Sequence, residues 1–419
     1  FSEDRVPLMQ LDPRWPTFHD LMTAYKSCRL HKPASSAQIR FESHLGENLI
    51  ELLKAIHAGR YRPAPAKCFV VTHPKPREIF AADFRDRVIH HLVVNQLEPI
   101  WNRKFIHSSF ACRIGRGSHG AIKYTQQQVR SLSCGGRKPV WCLQLDIEKF
   151  FVSIDRAILC SLLMQHAEHP KLKGLVQTIY SNDARSRVRK SSPPEMFRLI
   201  PAGKRWCEQE PGQGIPIGNL TSQFGANVYL TALDHFISRS LKPGAYLRYM
   251  DDLLLLDRDP AKIHAMAEPI NAWLQTNRKQ RLNPTKTKLT CLPDGIRYLG
   301  YELRQSDDVP AQPLQAFPEP LKKWRLIQSL RKLERGPVPF PKRPHRLAPL
   351  LSLPETEREI ASVNSHMGSL VHANTFRFRE KALRKFIERT REHRGIPDDL
   401  ADAWSPFAIK KGYRAIKLR

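Results

Sequence analysis

Apolar positions along this chain recur with two periods. Phe41, Leu45, Leu49, Leu52, Leu53 and Ile56 fall on one helical stripe, and Gly59 is placed to end it. Cys68-Phe69-Val70-Val71 predicts a short strand, followed by the turn-like His73-Pro74-Lys75-Pro76-Arg77. A second helical pattern covers 88–97. Residues 141–147 read as a strand ending in acid, and a helix start is expected at Ser153. Residues 181–214 are polar and rich in Arg, Pro and Gly, which predicts an insertion loop. Residues 221–241 return to a helical pattern. Residues 247–256 have the pattern of a β-hairpin interrupted by two aspartates, and Tyr298-Leu299-Gly300-Tyr301 predicts a further short strand.

Past residue 310 the character changes. Residues 321–335 place Trp324, Ile327, Leu330 and Leu333 on one face among six basic residues and one acid. Residues 336–354 hold six prolines and read as a linker, and Ile360, Val363, Met367, Leu370 and Val371 mark another helix. Strands mixed with helices predict an α+β core followed by a basic helical part.

Composition sharpens this. The chain has 419 residues, too many for one ordinary domain, and 41% are hydrophobic, enough for a real core. A formal charge of +28 favours a polyanionic partner, with nucleic acid ahead of an anionic membrane surface. No apolar run approaches the ~20 residues that span a bilayer. The eight cysteines form no C-x-x-C pair, so neither a zinc site nor a disulfide framework is indicated. The first residues lack a basic-then-apolar leader pattern. Reduced thiols and a cytoplasmic location are the expectation.

Phosphoryl transfer to a 3′-hydroxyl uses two divalent metals about 4 Å apart. Such metals take hard oxygen ligands, so two or three carboxylates must converge on one point. Two segments can supply them. One is Leu143-Gln144-Leu145-Asp146-Ile147-Glu148-Lys149-Phe150-Phe151, and the other is Tyr249-Met250-Asp251-Asp252. A bare acidic pair is usually a solvated turn, and a lone strand-end acid usually caps a helix. Apolar residues on both sides of Asp251 and Asp252 change that, because carboxylates between buried strands are costly without a cation.

Between these segments lies Gly214-Ile215-Pro216-Ile217-Gly218-Asn219-Leu220-Thr221-Ser222-Gln223, a glycine turn that opens a helix. This order of motifs resembles the reverse-transcriptase family over roughly residues 40–305. Lys75-Pro76-Arg77, Arg85-Asp86-Arg87 and Ser109-Phe110-Ala111-Cys112-Arg113 look like its early fingers motifs, and 298–301 like its primer-grip hairpin. The resemblance implies a right-hand polymerase with fingers, palm and a helical thumb. It implies Mg2+ as cofactor, two ions with Mn2+ as a substitute. Asp146 and Asp251 would ligate both metals, the Ile147 carbonyl would assist, and Asp252 would support them. Phe151 would crowd the sugar 2′-position, with Phe150 competing for that role. Lys75 and Arg77 would hold the triphosphate, and Gly218 and Gln223 would lie at the nucleotide. Lys286 would protonate pyrophosphate, with Lys288 as the alternative.

Ile217-Gly218-Asn219-Leu220-Thr221-Ser222-Gln223 and Phe110-Ala111-Cys112-Arg113 look most like the bacterial group of diversity-generating retroelements. Within that group, Ile217 in place of a polar residue implies error-prone copying. Related bacterial enzymes serve antiphage defence with a dedicated noncoding RNA, which gives a second reading. A catalytically retired RNA-binding protein is a third. Expected partners are template RNA or a structured noncoding RNA, cDNA and deoxynucleotides, with a small helical accessory protein in the diversification setting. The expected division is a helical extension (1–65), fingers and palm (66–305), a basic thumb (306–394) and a basic tail (395–419). Arg113 and, on the basic helix, Lys322, Lys323, Arg325, Arg331 and Lys332 are the candidate nucleic-acid contacts. Gly368 is expected to let the following helix approach the backbone.

Overall fold

The computed structural model describes residues 13–30, 35–73, 75–304 and 314–335, together with 366, 378, 382 and 385. The expected helix around Met367 and Gly368, the proline-rich linker and the basic tail lie outside the described residues.

Helices and strands alternate in chain order. The chain opens with α1 (Phe18–Arg29), α2 (Ser36–Glu42) and α3 (Leu45–His57), then β1 (Ala66–Val71), β2 (Arg77–Ala81), α4 (Phe84–Lys104) and α5 (Ser118–Leu132). β3 (Trp141–Asp146) precedes α6 (Phe150–Ser153), α7 (Arg156–Met164), α8 (Pro170–Ser181), β4 (Val188–Lys190) and α9 (Pro194–Arg198). α10 (Leu220–Phe236) leads to β5 (Ala245–Tyr249), β6 (Asp252–Asp257), α11 (Pro260–Ala265) and α12 (Ala267–Arg278). β7 (Lys288–Cys291), β8 (Ile296–Tyr298), β9 (Tyr301–Arg304), β10 (Gln315–Pro318) and α13 (Pro320–Arg335) complete it. The strands form three sheets, with orders β2-β1-β4, β10-β9-β8 and β5-β6-β3-β7. The result is a mixed helix-and-sheet fold. The described residues divide into two compact units. One takes in those up to Ile114 with Leu143–Leu255 and Ala261–Lys288, the other Gly115–Cys142, Leu256–Pro260 and the described residues from Leu289 onward.

In the first unit α4 and α10 are buried on nearly every side, as helices at the centre of a core must be. Asp83 caps α4 by accepting from the Arg85 amide at 3.0 Å, so the helix starts earlier and runs further than the apolar stripe at 88–97 predicts. The stripe at 41–56 is two helices rather than one. The Asn48 side chain donates to the Phe41 carbonyl at 2.9 Å and helps close α2, and His44 leaves helical geometry before α3 begins.

The expected insertion loop at 181–214 is a folded part of the first unit. β4 pairs parallel with β1, setting Ala66, Lys67 and Cys68 opposite Val188, Arg189 and Lys190. Trp206 is 2% exposed and packs edge-on against Phe80 with ring centroids 4.8 Å apart. Cys68 and Val152 complete that core, with Val188 and Phe197 packed on it. The polar composition of the segment hides one large aromatic, and burying that ring outweighs the turn signals around it.

Two further expectations change. Residues 298–301 are the turn of a hairpin: Leu299 and Gly300 take positive φ between β8 and β9, whose register pairs Tyr298 with Tyr301. In the second unit, α13 buries Leu326 and Ser329, while Trp324 is 53% exposed. Its buried face is therefore offset from the one the Trp324–Ile327 spacing predicts.

Removing the ring that anchors 181–214 tests this fold directly. Trp206→Ala is expected to cost about 3–5 kcal/mol in urea denaturation, as for a buried aromatic. A cost under about 1 kcal/mol would return the segment to the status of a loose loop.

Candidate active site

β3 ends at Asp146, and β5 and β6 are joined by a tight turn through Met250 and Asp251, with Met250 at φ +59°. Apolar strands on each side carry these acids into the interior. Asp146 is 9% exposed, and Leu253 to Leu256 beyond the turn are buried. Burial and the charge of Asp146 raise the Asp251 carboxyl above the usual carboxylate range, against the pull of Lys286 and Arg77. Burial, Asp251 and Asp146 push Asp252 up to about 7, opposed by Lys286 and Lys75. The three acids therefore sense one another in a poorly solvated place.

Lys286 answers that charge. Its Nζ lies 2.6 Å from Asp146 Oδ1. Main-chain pairing brings it there. The Asn283 amide donates to the Asp146 carbonyl at 2.8 Å, and the Glu148 amide donates to the Arg281 carbonyl at 2.9 Å. Ile147 faces Leu282 across this bridge, whose bonds leave the Ile147 carbonyl out of the ladder. The Asn283 side chain accepts from the Thr285 amide and starts the short turn that presents Lys286. Lys288, the alternative, begins β7 and is exposed.

Asp146 and Asp251 open onto a cavity of about 1140 Å³. Lys75, Arg77, Asp146, Ile147, Phe151, Ile217, Asp251 and Lys286 all line it. Phe150, 2% exposed, and Phe151, half-buried, both line the cavity, with ring centroids 5.3 Å apart. The glycine turn is tied down at several points. The Ile215 amide donates to the Phe151 carbonyl at 3.0 Å, and the Phe80 amide donates to the Ile217 carbonyl at 3.0 Å. Gly218 has φ +113°, and a Cβ there would meet Ile79 Cγ2 at 2.9 Å, so only glycine fits. At the start of α10 the Asn219 side chain accepts from the Ala82 amide at 3.2 Å. Gln223 is half-buried one turn into α10, and it, Gly218 and Asp252 are not among the cavity-lining residues.

Arg113 is placed differently from expectation. Its guanidinium donates to the carbonyls of Ile106 and Ser109 at 2.9 Å each and lies over Phe105. It is engaged in holding its own loop. On α13, Lys323 and Arg325 are half-buried and Arg331 is exposed, while the side chains of Lys322 and Lys332 lie outside the described residues.

Sequence reasoning passed over Glu78, Asn219, Asp234 and Arg248. Glu78 is 5% exposed and accepts from the Trp206 amide at 2.8 Å. Arg248 and Asp234 are fully buried together, with 2.8 Å between Nη2 and Oδ2. The signal for them was present: an arginine inside an apolar strand and an aspartate inside an apolar helix each demand a partner.

The chain matches the family model "Reverse transcriptase (RNA-dependent DNA polymerase)" over residues 72–303. That span covers more than half of the chain and contains all of the acids above, so the chain belongs to the reverse transcriptase family and is an RNA-directed DNA polymerase. It is 23% identical to protein YkfC of Escherichia coli K12 over 297 residues, covering 62% of this chain and 72% of that protein. It is 24% identical to the group II intron-encoded protein LtrA of Lactococcus lactis subsp. cremoris over 222 residues, which is 51% of this chain but only 33% of LtrA. No described helix is long and apolar enough to cross a membrane.

The family uses divalent metal ions. Among the described residues no three His, Cys, Asp or Glu side chains are drawn together as a ready ligand group. The donor set nevertheless fits such a cation. Asp146, Asp251 and Asp252 are hard carboxylates whose mutual repulsion, visible in the raised Asp251 and Asp252, a divalent ion would relieve.

The sign of the pH effect follows from Asp252. Its folded-state value, about 7, lies above the ordinary aspartate value of 3.8, so the stability it lends is complete below the unfolded range and lost as pH rises towards and through about 7. In chelator, the melting temperature should fall between about pH 4 and about pH 7, and Asp252→Asn should remove part of that fall. Identical pH profiles for the two proteins would contradict the assignment.

Proposed function

We propose that the chain extends a primer 3′-end with deoxynucleotides on an RNA template, in a right-hand arrangement of fingers, palm and thumb. The observation that carries this reading is the mutual electrostatic influence of Asp146, Asp251 and Asp252, the first two of which line a cavity of about 1140 Å³. Asp146 and Asp251 would hold two Mg2+ ions, with Asp252 and the Ile147 carbonyl in support. When bound, these ions supply Lewis-acid activation of the 3′-hydroxyl and charge neutralisation on the triphosphate.

The chain's own residues do the rest. Lys75 and Arg77, which line the same cavity, hold triphosphate oxygens. Phe151 fills the space a ribose 2′-hydroxyl would need, so deoxynucleotides are preferred. Lys286 is an ammonium on a flexible stem, paired with Asp146 in this structure. Lys286, as an ammonium, would donate its proton to the leaving pyrophosphate. The basic residues of α13 contact phosphates of the template–primer duplex, without reading sequence.

Asp251→Asn is expected to abolish Mg2+-dependent cDNA synthesis in a primer-extension assay while leaving RNA affinity within about twofold. Synthesis that survives this substitution would sink the proposal.

Within the family, we assign the chain to error-prone bacterial enzymes of the diversity-generating kind. Ile217 supports this, because a branched apolar side chain lines the cavity and offers no hydrogen bond to the nascent pair. Ile217→Gln should lower misincorporation opposite template adenine several-fold when product cDNA is sequenced. An unchanged error spectrum would remove Ile217 from the account.

A further inference from the structure

The Arg248 guanidinium has five N–H donors, and all five are used inside the protein. Nε donates to Asp234 Oδ1 at 2.8 Å and Nη2 donates to Asp234 Oδ2 at 2.8 Å. Nη2 also donates to Ser109 Oγ at 3.2 Å, and Nη1 donates to Asn227 Oδ1 at 3.1 Å. The fifth bond runs from Nη1 to the carbonyl of Met250 at 3.0 Å. Arg248, Asp234 and Ser109 are each 0% exposed and Asn227 is 1% exposed.

The acceptors come from three directions. Asp234 and Asn227 stand on α10, the helix that follows the glycine turn. Ser109 sits on the loop beside β5, and that loop is itself bound to the strand. The Arg248 amide donates to the Ser108 carbonyl at 3.0 Å, and the Phe110 amide donates to the Arg248 carbonyl at 3.0 Å. Asn227 extends the network by donating to the Ala111 carbonyl at 2.8 Å. Tyr246 donates to Asp234 Oδ1 at 2.8 Å. This ties helix, loop and strand into one buried polar unit with its charges matched.

The Met250 carbonyl is the only acceptor among the five that belongs to the catalytic turn. Met250 is in the left-handed region at φ +59°, a conformation that an unbranched L-residue holds only when its surroundings fix it. The peptide whose carbonyl Arg248 grips is the one that links Met250 to Asp251. Its orientation therefore sets the direction in which the Asp251 carboxylate leaves the backbone.

We propose that Arg248, held by Asp234, is a positioning residue for the polymerase reaction: through the Met250 carbonyl it fixes the catalytic turn and aims Asp251 at Asp146. This rests on the polymerase role of Asp251. A lysine at 248 keeps the positive charge opposite Asp234, but its ammonium has only three donors and no planar fork. It cannot serve Asp234 and also reach the Met250 carbonyl along the same vector.

The test compares Arg248→Lys with Ser109→Ala in the full chain. Ser109→Ala removes another buried bond of the same guanidinium and leaves the Met250 bond intact. Primer extension is measured per folded molecule, with the folded fraction taken from urea denaturation. Arg248→Lys should lower kcat by about 100-fold, the scale expected for a misplaced reacting group, with the KM for deoxynucleotide held within about twofold. It should also raise the Mg2+ concentration needed for half-activation. Ser109→Ala should keep kcat within about twofold. Asp234→Asn keeps the side-chain size but loosens the anchor that aims the fork at Met250, and it carries the test, with the same split at smaller size, where Arg248→Lys does not fold. Wild-type extension tests the polymerase reading by itself, whereas the variants tested against wild type address positioning. Equal kcat per folded molecule in Arg248→Lys and wild type, or a loss matched by Ser109→Ala, would overturn the proposal.

Discussion

Like charges held together in a poorly solvated place are the constraint on which this structure turns. Burial and the charge of Asp146 raise the proton affinity of Asp251, and burial with the charges of Asp251 and Asp146 raises that of Asp252. A chain gains nothing in stability from that arrangement. It must be enforced by rigid elements, and the elements here are strands with apolar side chains on either side of the acids. The repulsion is relieved only in part by Lys286 on Asp146. The same unfavourable electrostatics would favour a divalent cation there, so under the proposed function the cost to the fold and the chemistry have one origin.

Enforcement reaches outward in layers. The pairing of residues 146–148 with 281–283 fixes Lys286 against Asp146. The glycine turn is fastened to β2 through Ile217 and to the Phe151 segment through Ile215, so the nucleotide cavity and the acids share one framework. Trp206 and Glu78 join the 181–214 segment to the β1–β2 sheet, whose connecting turn carries Lys75.

Much of the site was legible in the sequence because its signals are local. A hairpin with acids at its turn and leucines beyond it declares both a strand pair and an anomaly. The ordering of Asp146, the glycine turn and Tyr249-Met250-Asp251-Asp252 declared the family. What escaped depends on pairing at a distance. Trp206 lies among prolines and arginines, and only the fold shows that Phe80, more than a hundred positions away, is waiting for its ring. Arg113 looked like a phosphate contact because composition cannot say that neighbouring carbonyls engage it. The α13 stripe failed for a related reason, since helical spacing gives a periodicity and not the direction of the neighbour that will cover it. Arg248 and Asp234 were readable as misfits, but their partnership was not.

The account stands on the three acids forming one cation-binding centre. Manganese titration of the full chain, followed by electron paramagnetic resonance, addresses this without requiring turnover. Wild-type protein should bind Mn2+ in competition with Mg2+, and Asp146→Asn and Asp251→Asn should each weaken that binding by about tenfold or more although the residues lie on different strands. Mn2+ binding unchanged in both variants would show that these carboxylates are not a metal centre, and the polymerase mechanism built on them would fall.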